Sequence, residues 1–207
     1  MKVSMKLARM FCTAAIVAAS AAAASAQVGK SQGVSDVNTI TEAEVAALPG
    51  LTSAIAKALV AKRPFNSITD LNAFLLAQGL TQEQASAVYA KAVVHLNLNT
   101  ATNEEILLVP GAGRRMAREF PEYRPWKTYA QFDREIGKYV GPEATAKLAQ
   151  YTFIPMNANT AADADLLTVP GASQAWLDKV KKGRPYKTAA DLEKVAGKAQ
   201  ARFFVIE

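Results

Sequence analysis

The residues with a route to chemistry lie in one short turn. Pro110-Gly111-Ala112-Gly113-Arg114-Arg115 opens a helical pattern, and Arg118 stands one helical turn beyond Arg114. The chemistry this suggests is anion binding. The first amides of a helix lack intrahelical acceptors, the helix dipole adds partial positive charge there, and neighbouring guanidinium groups supplement both. No bond-making chemistry is comparably defined. His95, the sole histidine, stands in an apolar connection and reads as structural. Glu104, Glu105, Asp163 and Asp165 fall in first helical turns, where carboxylates suit the dipole. There is no Walker-type loop and no metal-spaced cluster, and Gly111-Ala112-Gly113 lacks the preceding strand and third glycine of a dinucleotide fingerprint. The chain is expected not to be an enzyme and to use no cofactor, no metal and no small-molecule substrate.

The elements that must position this turn recur along the chain. Asn38-Thr39, Asn99-Thr100 and Asn159-Thr160 stand 61 and 60 residues apart. Pro49-Gly50, Pro110-Gly111 and Pro170-Gly171 keep the same intervals, as do Arg63-Pro64-Phe65, Arg124-Pro125-Trp126 and Arg184-Pro185-Tyr186. Landmarks in one register mean three units, over 37–97, 98–156 and a truncated 157–207. Each opens with a helix, capped by Thr41 with Glu44 and by Thr102 with Glu105, whereas Ala162 leaves the third uncapped. Glycine after proline permits the reversal into a second helix. That helix stops before the Arg-Pro pair, because a residue preceding proline is pushed out of the helical region. Phe65, Trp126 and Tyr186 are expected to anchor this loop in the core rather than to stack on bases. Ser67, Thr128 and Thr188 announce a third helix, followed by a weaker hairpin echo at Gly79, Gly141 and Gly197. The apolar connections between units are expected to seal one unit onto the next, with short strands an alternative. The fold class is all-α.

Leu98-Asn99-Thr100-Ala101, Glu104-Glu105 and Val109-Pro110-Gly111-Ala112-Gly113 resemble the helix-hairpin-helix unit of ComEA-like exported DNA-binding proteins. The resemblance implies three tandem helix-hairpin-helix units and distinct jobs for two glycines, the first making the turn and the second admitting a DNA phosphate to the helix-start amides. Such contacts grip the sugar-phosphate backbone without reading bases. Carried over residue by residue, the second unit matches at Gly111, Ala112, Gly113, Arg114, Arg115 and Arg118, with Met116 where the family often has lysine. The first unit offers Gly50, Leu51, Thr52, Ser53 and Lys57, and the third Gly171, Ala172, Ser173 and Gln174, with Asp178 at the register of Lys57 and Arg118. Both lack the second glycine, and a Pro-Gly turn between amphipathic helices is also a sound connection with no ligand. Lys179, Lys181, Lys182, Arg184 and Lys187 form the densest basic run, either a solvated face or a supplement to a phosphate track.

Residues 1–26 read as a secretory signal peptide. Lys2, Lys6 and Arg9 precede an apolar run from Phe11 to Ala24 that is short for a bilayer span, and Ala24-Ser25-Ala26 is a cleavage site, with cutting after Ala26. Residues 27–36 read as a flexible leader. The mature chain would contain no cysteine, since Cys12 lies in the signal segment, and would have no membrane span. Taking the three basic residues of that segment from 24 leaves 21 against 18 acidic ones, a net of +3. So slight an excess excludes an obligate nucleic-acid packager and puts the weight on local geometry. The expected partner is double-stranded DNA, bound by an exported, periplasmic or secreted protein as in DNA uptake. The alternative is a periplasmic or envelope protein partner, for which a similar hairpin unit in an extrinsic photosystem subunit is a precedent.

Overall fold

Every unit is a pair of helical hairpins whose ends are tied by two parallel strands. The computed structural model describes residues 34–207, so the expected signal peptide and residues 27–33 of the leader lie outside it. The first unit runs β1 (Ser35–Asp36), α1 (Glu42–Ala46), α2 (Ser53–Lys62), α3 (Ile68–Ala77), α4 (Gln82–Tyr89), β2 (Ala92–Val93). The second runs β3 (Leu96–Asn97), α5 (Asn103–Leu108), α6 (Arg114–Glu122), α7 (Tyr129–Ala149), β4 (Thr152–Phe153), and α7 breaks at Gly141 into two arms. The third runs β5 (Met156–Asn157), α8 (Asp163–Leu166), α9 (Gln174–Lys182), α10 (Ala189–Ala196), α11 (Lys198–Ala201), β6 (Phe204–Val205). The first and last strands of each unit pair, with Ser35 opposite Ala92, Leu96 opposite Thr152 and Met156 opposite Phe204.

This helical architecture agrees with the all-α expectation, and three details of the sequence reading change. Residues 34–36 are not leader: Val34 and Asp36 are buried and Ser35–Asp36 form β1, because a closing strand needs a partner at the unit's start. For the same reason Leu96–Asn97 and Met156–Asn157 open the second and third units ahead of 98 and 157. The third unit also keeps every element of the others, its truncation appearing as shortened helices, α8 and α11 having four residues each. The connections therefore close units on themselves as well as joining them.

Helix starts follow the predicted capping. Thr41 and Thr102 complete capping boxes with Glu44 and Glu105, while Ala162 supplies no cap to the four-residue α8. Among the described residues positive φ occurs only at glycine, once per hairpin, at Gly50, Gly79, Gly111, Gly141, Gly171 and Gly197. The echo seen in the sequence is thus a second hairpin in each unit.

The other landmarks bind one another. The Asn99 amide accepts from the Trp126 backbone N–H at 2.6 Å and donates to its carbonyl at 3.0 Å; Asn38 holds Phe65 at 2.8 and 3.0 Å, and Asn159 holds Tyr186 at 2.7 and 3.0 Å. Arginine ties the same loop to the unit's opening. Arg124 donates to the carbonyls of Leu98 and Ala101, Arg184 to those of Ala158 and Ala161, and Arg63 to that of Ile40. Each Arg-Pro bond is cis, and the aromatic beside it is buried as expected, Trp126 at 1% exposure.

The first two units share one apolar core that includes Leu59, Leu71, Val93, Ile106, Phe120 and Phe132. The third has its own, around Leu166, Leu177, Val180 and Leu192, and Phe153 on Phe203 (centroids 4.6 Å apart) links it to the second. A charged seam joins it to the first. Buried Asp36 accepts from the His95 ring at 2.9 Å and lies 3.5 Å from Arg202, which donates to the His95 carbonyl at 2.7 Å. His95 is structural, as the sequence suggested.

Two stability tests follow from these contacts. Asn99→Ala strips both bonds from the Trp126 backbone and is expected to cost about 2–3 kcal/mol in urea unfolding, whereas exposed Thr100→Ala is expected to stay within about 0.5 kcal/mol. For Asp36, burial pushes the carboxyl up, but the His95 hydrogen bond and the charges of His95 and Arg202 outweigh it and hold the group below its ordinary value of 3.8. The unfolded chain therefore takes up the proton first, so the seam's contribution is fully present above that ordinary value and is lost as pH falls through the lower folded value. Urea midpoints of Asp36→Asn are expected to decline less between pH 5 and 3 than those of the parent.

Candidate functional site

The three first hairpins share a turn and differ in how the following helix begins. Gly111 takes φ 83°, a conformation L side chains resist. Ala112 follows, its amide donating to the Val109 carbonyl at 2.9 Å; Leu51 and Ala172 do the same toward Leu48 and Val169. These three amides close the turns and are withdrawn from any ligand, which corrects their inclusion among the phosphate donors. Gly113 then sits at the N-cap of α6 with φ −93° and ψ −175°, extended backbone open to any residue. A Cβ there would meet nothing within 4 Å. Neither backbone conformation nor packing within the chain therefore requires glycine here.

The other units carry a hydroxyl at this position. The Thr52 hydroxyl accepts from the Ile55 amide at 3.3 Å and the Ser173 hydroxyl from the Trp176 amide at 3.2 Å, so each helix start is capped internally. Nothing caps α6. Its first intrahelical bond runs from the Ala117 amide to the Gly113 carbonyl, leaving the amides of Arg114, Arg115 and Met116 ahead of it without an intrahelical acceptor. Six of the seven helices of eight or more residues among the described residues carry a side-chain cap, and α6 is the exception.

Arg114 and Arg118 are exposed at this start. Arg115 is exposed as well, but it is held: its guanidinium lies 4.3 Å over the Tyr139 ring and 4.0 Å from Glu119. Tyr139 in turn bonds the Tyr123 hydroxyl at 2.7 Å, and its bonds to Tyr123 and Glu119 hold the phenol above its ordinary pKa, hence neutral. Spacing drew no attention to Tyr139, Tyr123 or Glu119; the only sequence signal was the position of Tyr139 two residues before Gly141.

The weaker candidates are dispersed. Gly50, Ser53 and Lys57 are exposed in the first unit. In the third, a Cβ on Gly171 would lie 3.1 Å from Thr39 of the first unit, and Gln174 bonds Asp178 at 2.9 Å. The basic run does not form one track: Arg184 faces inward onto backbone carbonyls and Lys181 pairs with Asp163 at 2.7 Å, leaving Lys179, Lys182 and Lys187 at the surface.

The geometry is that of helix-hairpin-helix units, and comparison with known proteins agrees for part of the chain. Residues 30–86 match the family described as helix-hairpin-helix motif, a motif commonly associated with nucleic-acid binding. The match covers the first hairpin of the first unit and the second as far as the middle of α4. No curated protein and no solved structure matches the chain. Among the described residues no helix is long and apolar enough to cross a membrane.

The two glycines of the second unit are expected to respond differently to substitution. Gly111→Ala forces a Cβ into the left-handed region and should cost about 1–2 kcal/mol. Gly113→Ser, which copies Ser173, should change stability by only a few tenths of a kcal/mol, roughly the difference between these two N-caps. Thermal unfolding of both variants distinguishes these costs.

Proposed function

We propose that this chain is an exported, non-enzymatic protein that binds double-stranded DNA irrespective of sequence, with a role in DNA capture of the kind the ComEA-like resemblance implies. The observation that carries this reading is the uncapped start of α6, bordered by Arg114, Arg115 and Arg118. A phosphate oxygen there would accept from backbone amides that have no internal partner, in the field of the helix dipole and three guanidinium groups. Export rests on the signal-like pattern of residues 1–26. Absence of enzymatic activity rests on the lack of any nucleophile–base or metal-ligand constellation in the sequence.

A second reading, docking on a periplasmic or envelope protein, is favoured by a different observation. Leu107 and Leu167 are 48% and 45% exposed at equivalent positions just before Pro110 and Pro170, where apolar side chains would suit a protein surface better than a phosphate track.

Fluorescence anisotropy with the mature chain and unrelated duplexes of equal length tests the first reading. Expected are equal affinities that fall as salt rises, with a log–log slope of about −0.9 per phosphate neutralised. Gly113→Ser, whose hydroxyl competes for the amides, is expected to weaken binding about tenfold while leaving the fold intact. The Arg114→Glu, Arg115→Glu pair is expected to abolish it. Absence of duplex binding at low ionic strength overturns this reading, and a protein partner retained by the double variant establishes the second.

A further inference from the structure

The three units descend from one pattern, so each position of the α6 site can be compared with its counterparts. Arg115 corresponds to Ala54 and Ala175, and Glu119 to Ala58 and Lys179; Tyr139, counted back from the second hairpin's glycine, corresponds to Ala77 and Val195. The whole Arg115–Glu119–Tyr139 cluster is confined to the unit whose second helix starts uncapped.

Its geometry leaves work for the arginine to do. One face of the guanidinium is covered by the Tyr139 ring at 4.3 Å and its Nε lies toward Glu119 at 4.0 Å, yet 55% of the side chain remains exposed. Tyr139 is itself fixed by its hydroxyl bond to Tyr123 at 2.7 Å, and Tyr123 packs against buried Trp126 with centroids 5.9 Å apart. A free arginine must surrender rotamer freedom to meet a phosphate; one stacked on an anchored ring has already surrendered it. The residue that aims the cation therefore lies on α7, 24 positions further along the chain.

We propose that Tyr139 is a positioning residue for anion binding at the α6 start: it holds the Arg115 guanidinium with its outer edge turned to the phosphate while Tyr123 and Glu119 fix the ring. This deepens the DNA-binding reading and rests on it. Tyr139 need not touch DNA, and its effect passes entirely through Arg115. The ring face carries the stack and the hydroxyl bond anchors the ring, so phenylalanine should keep the stack and lose part of its anchoring.

A double-mutant cycle on the full mature chain, read by anisotropy with a mixed-sequence duplex across a salt series, tests this. Arg115→Ala and Tyr139→Leu are each expected to weaken binding about three- to tenfold, the range set by immobilising one flexible side chain. Together they should be no worse than Arg115→Ala alone, while Tyr139→Phe, which keeps the ring and loses its hydroxyl anchor, should fall between the parent and Tyr139→Leu. Arg115→Ala should flatten the salt slope by about 1, and Tyr139→Leu should flatten it in the same direction. Thermal unfolding confirms that each variant is folded; should Tyr139→Leu not fold, Tyr139→His takes its place in the cycle. Losses that multiply, or a Tyr139 variant that binds like the parent, overturn the proposal. If Gly113→Ser still weakens binding in that case, the phosphate-binding reading stands and only the role of Tyr139 falls; if Gly113→Ser also has no effect, the DNA-binding reading itself has failed.

Discussion

The bond pair between an asparagine side chain and the backbone of an aromatic residue 27 positions later is the constraint on which each unit depends. It satisfies a backbone N–H and carbonyl in a loop that belongs to no helix or strand, where unpaired polar groups would be costly. It also fixes where the aromatic ring enters the core and where the third helix departs. Arginine completes the joint by taking up carbonyls from the unit's opening turn. Around this common frame the rings differ in what their tips require: Trp126 Nε1 donates to the Phe120 carbonyl at 2.8 Å and the Tyr186 hydroxyl to that of Val180 at 2.7 Å. Phe65 has no such donor. The tyrosine solution restricts its neighbourhood, since a Cβ on Gly183 would collide with the Tyr186 hydroxyl, which accounts for glycine where the other units carry Lys62 and Tyr123.

Much of this frame was legible in the sequence because it is written in short-range chemistry. Caps, Pro-Gly turns and helix stops are decided within four residues, and their intervals of 61 and 60 exposed the repeat. What stayed illegible is the partnership of residues far apart. The Asn-Thr and Arg-Pro landmarks showed as repeats without showing that they bind each other, and Arg184 therefore looked like part of a basic surface. The closing strands are two residues long, too short for any periodicity, so Ser35–Asp36 read as leader. At the candidate site the hairpin and its flanking arginines were visible, whereas the ring beneath Arg115 was not, because nothing local links positions 115 and 139.

The seam between the first and third units shows how repeated positions diverge. Asp36, Asn97 and Asn157 stand in one register, and each accepts from the amide two residues on, at 3.0, 2.9 and 2.8 Å. Either side chain satisfies that local bond. Only the carboxylate brings a second charged oxygen, which takes the His95 ring and faces Arg202, residues with no counterpart in the other units' strands. The arrangement leaves His95 Nε2 and Arg202 Nη1 buried without a hydrogen bond, Nη1 keeping only its ion pair with Asp36. A buried ionic cluster with unsatisfied polar atoms contributes less to stability than to fixing which surfaces meet, and the surfaces it fixes are those of the first and last units.

The same economy explains why three hairpins need not mean three grips. A hydroxyl at the N-cap satisfies an amide inside the protein, and it thereby removes one of the donors that an external anion would use. Thr52 and Ser173 place their units on the side of internal satisfaction, while Gly113 leaves the middle unit on the side of access. If the outer units contribute to affinity, they must do so through exposed cations such as Lys57, Lys179 and Lys182 rather than through helix starts. Avidity across tandem modules requires grips that engage one strand together, and the hydroxyl-capped starts of α2 and α9 offer fewer free amides for such a grip than the start of α6. The aromatic–guanidinium pair beside α6 then belongs to the same division of labour: the middle unit carries an uncapped helix start, and the chain that follows it supplies the ring that keeps a cation next to it.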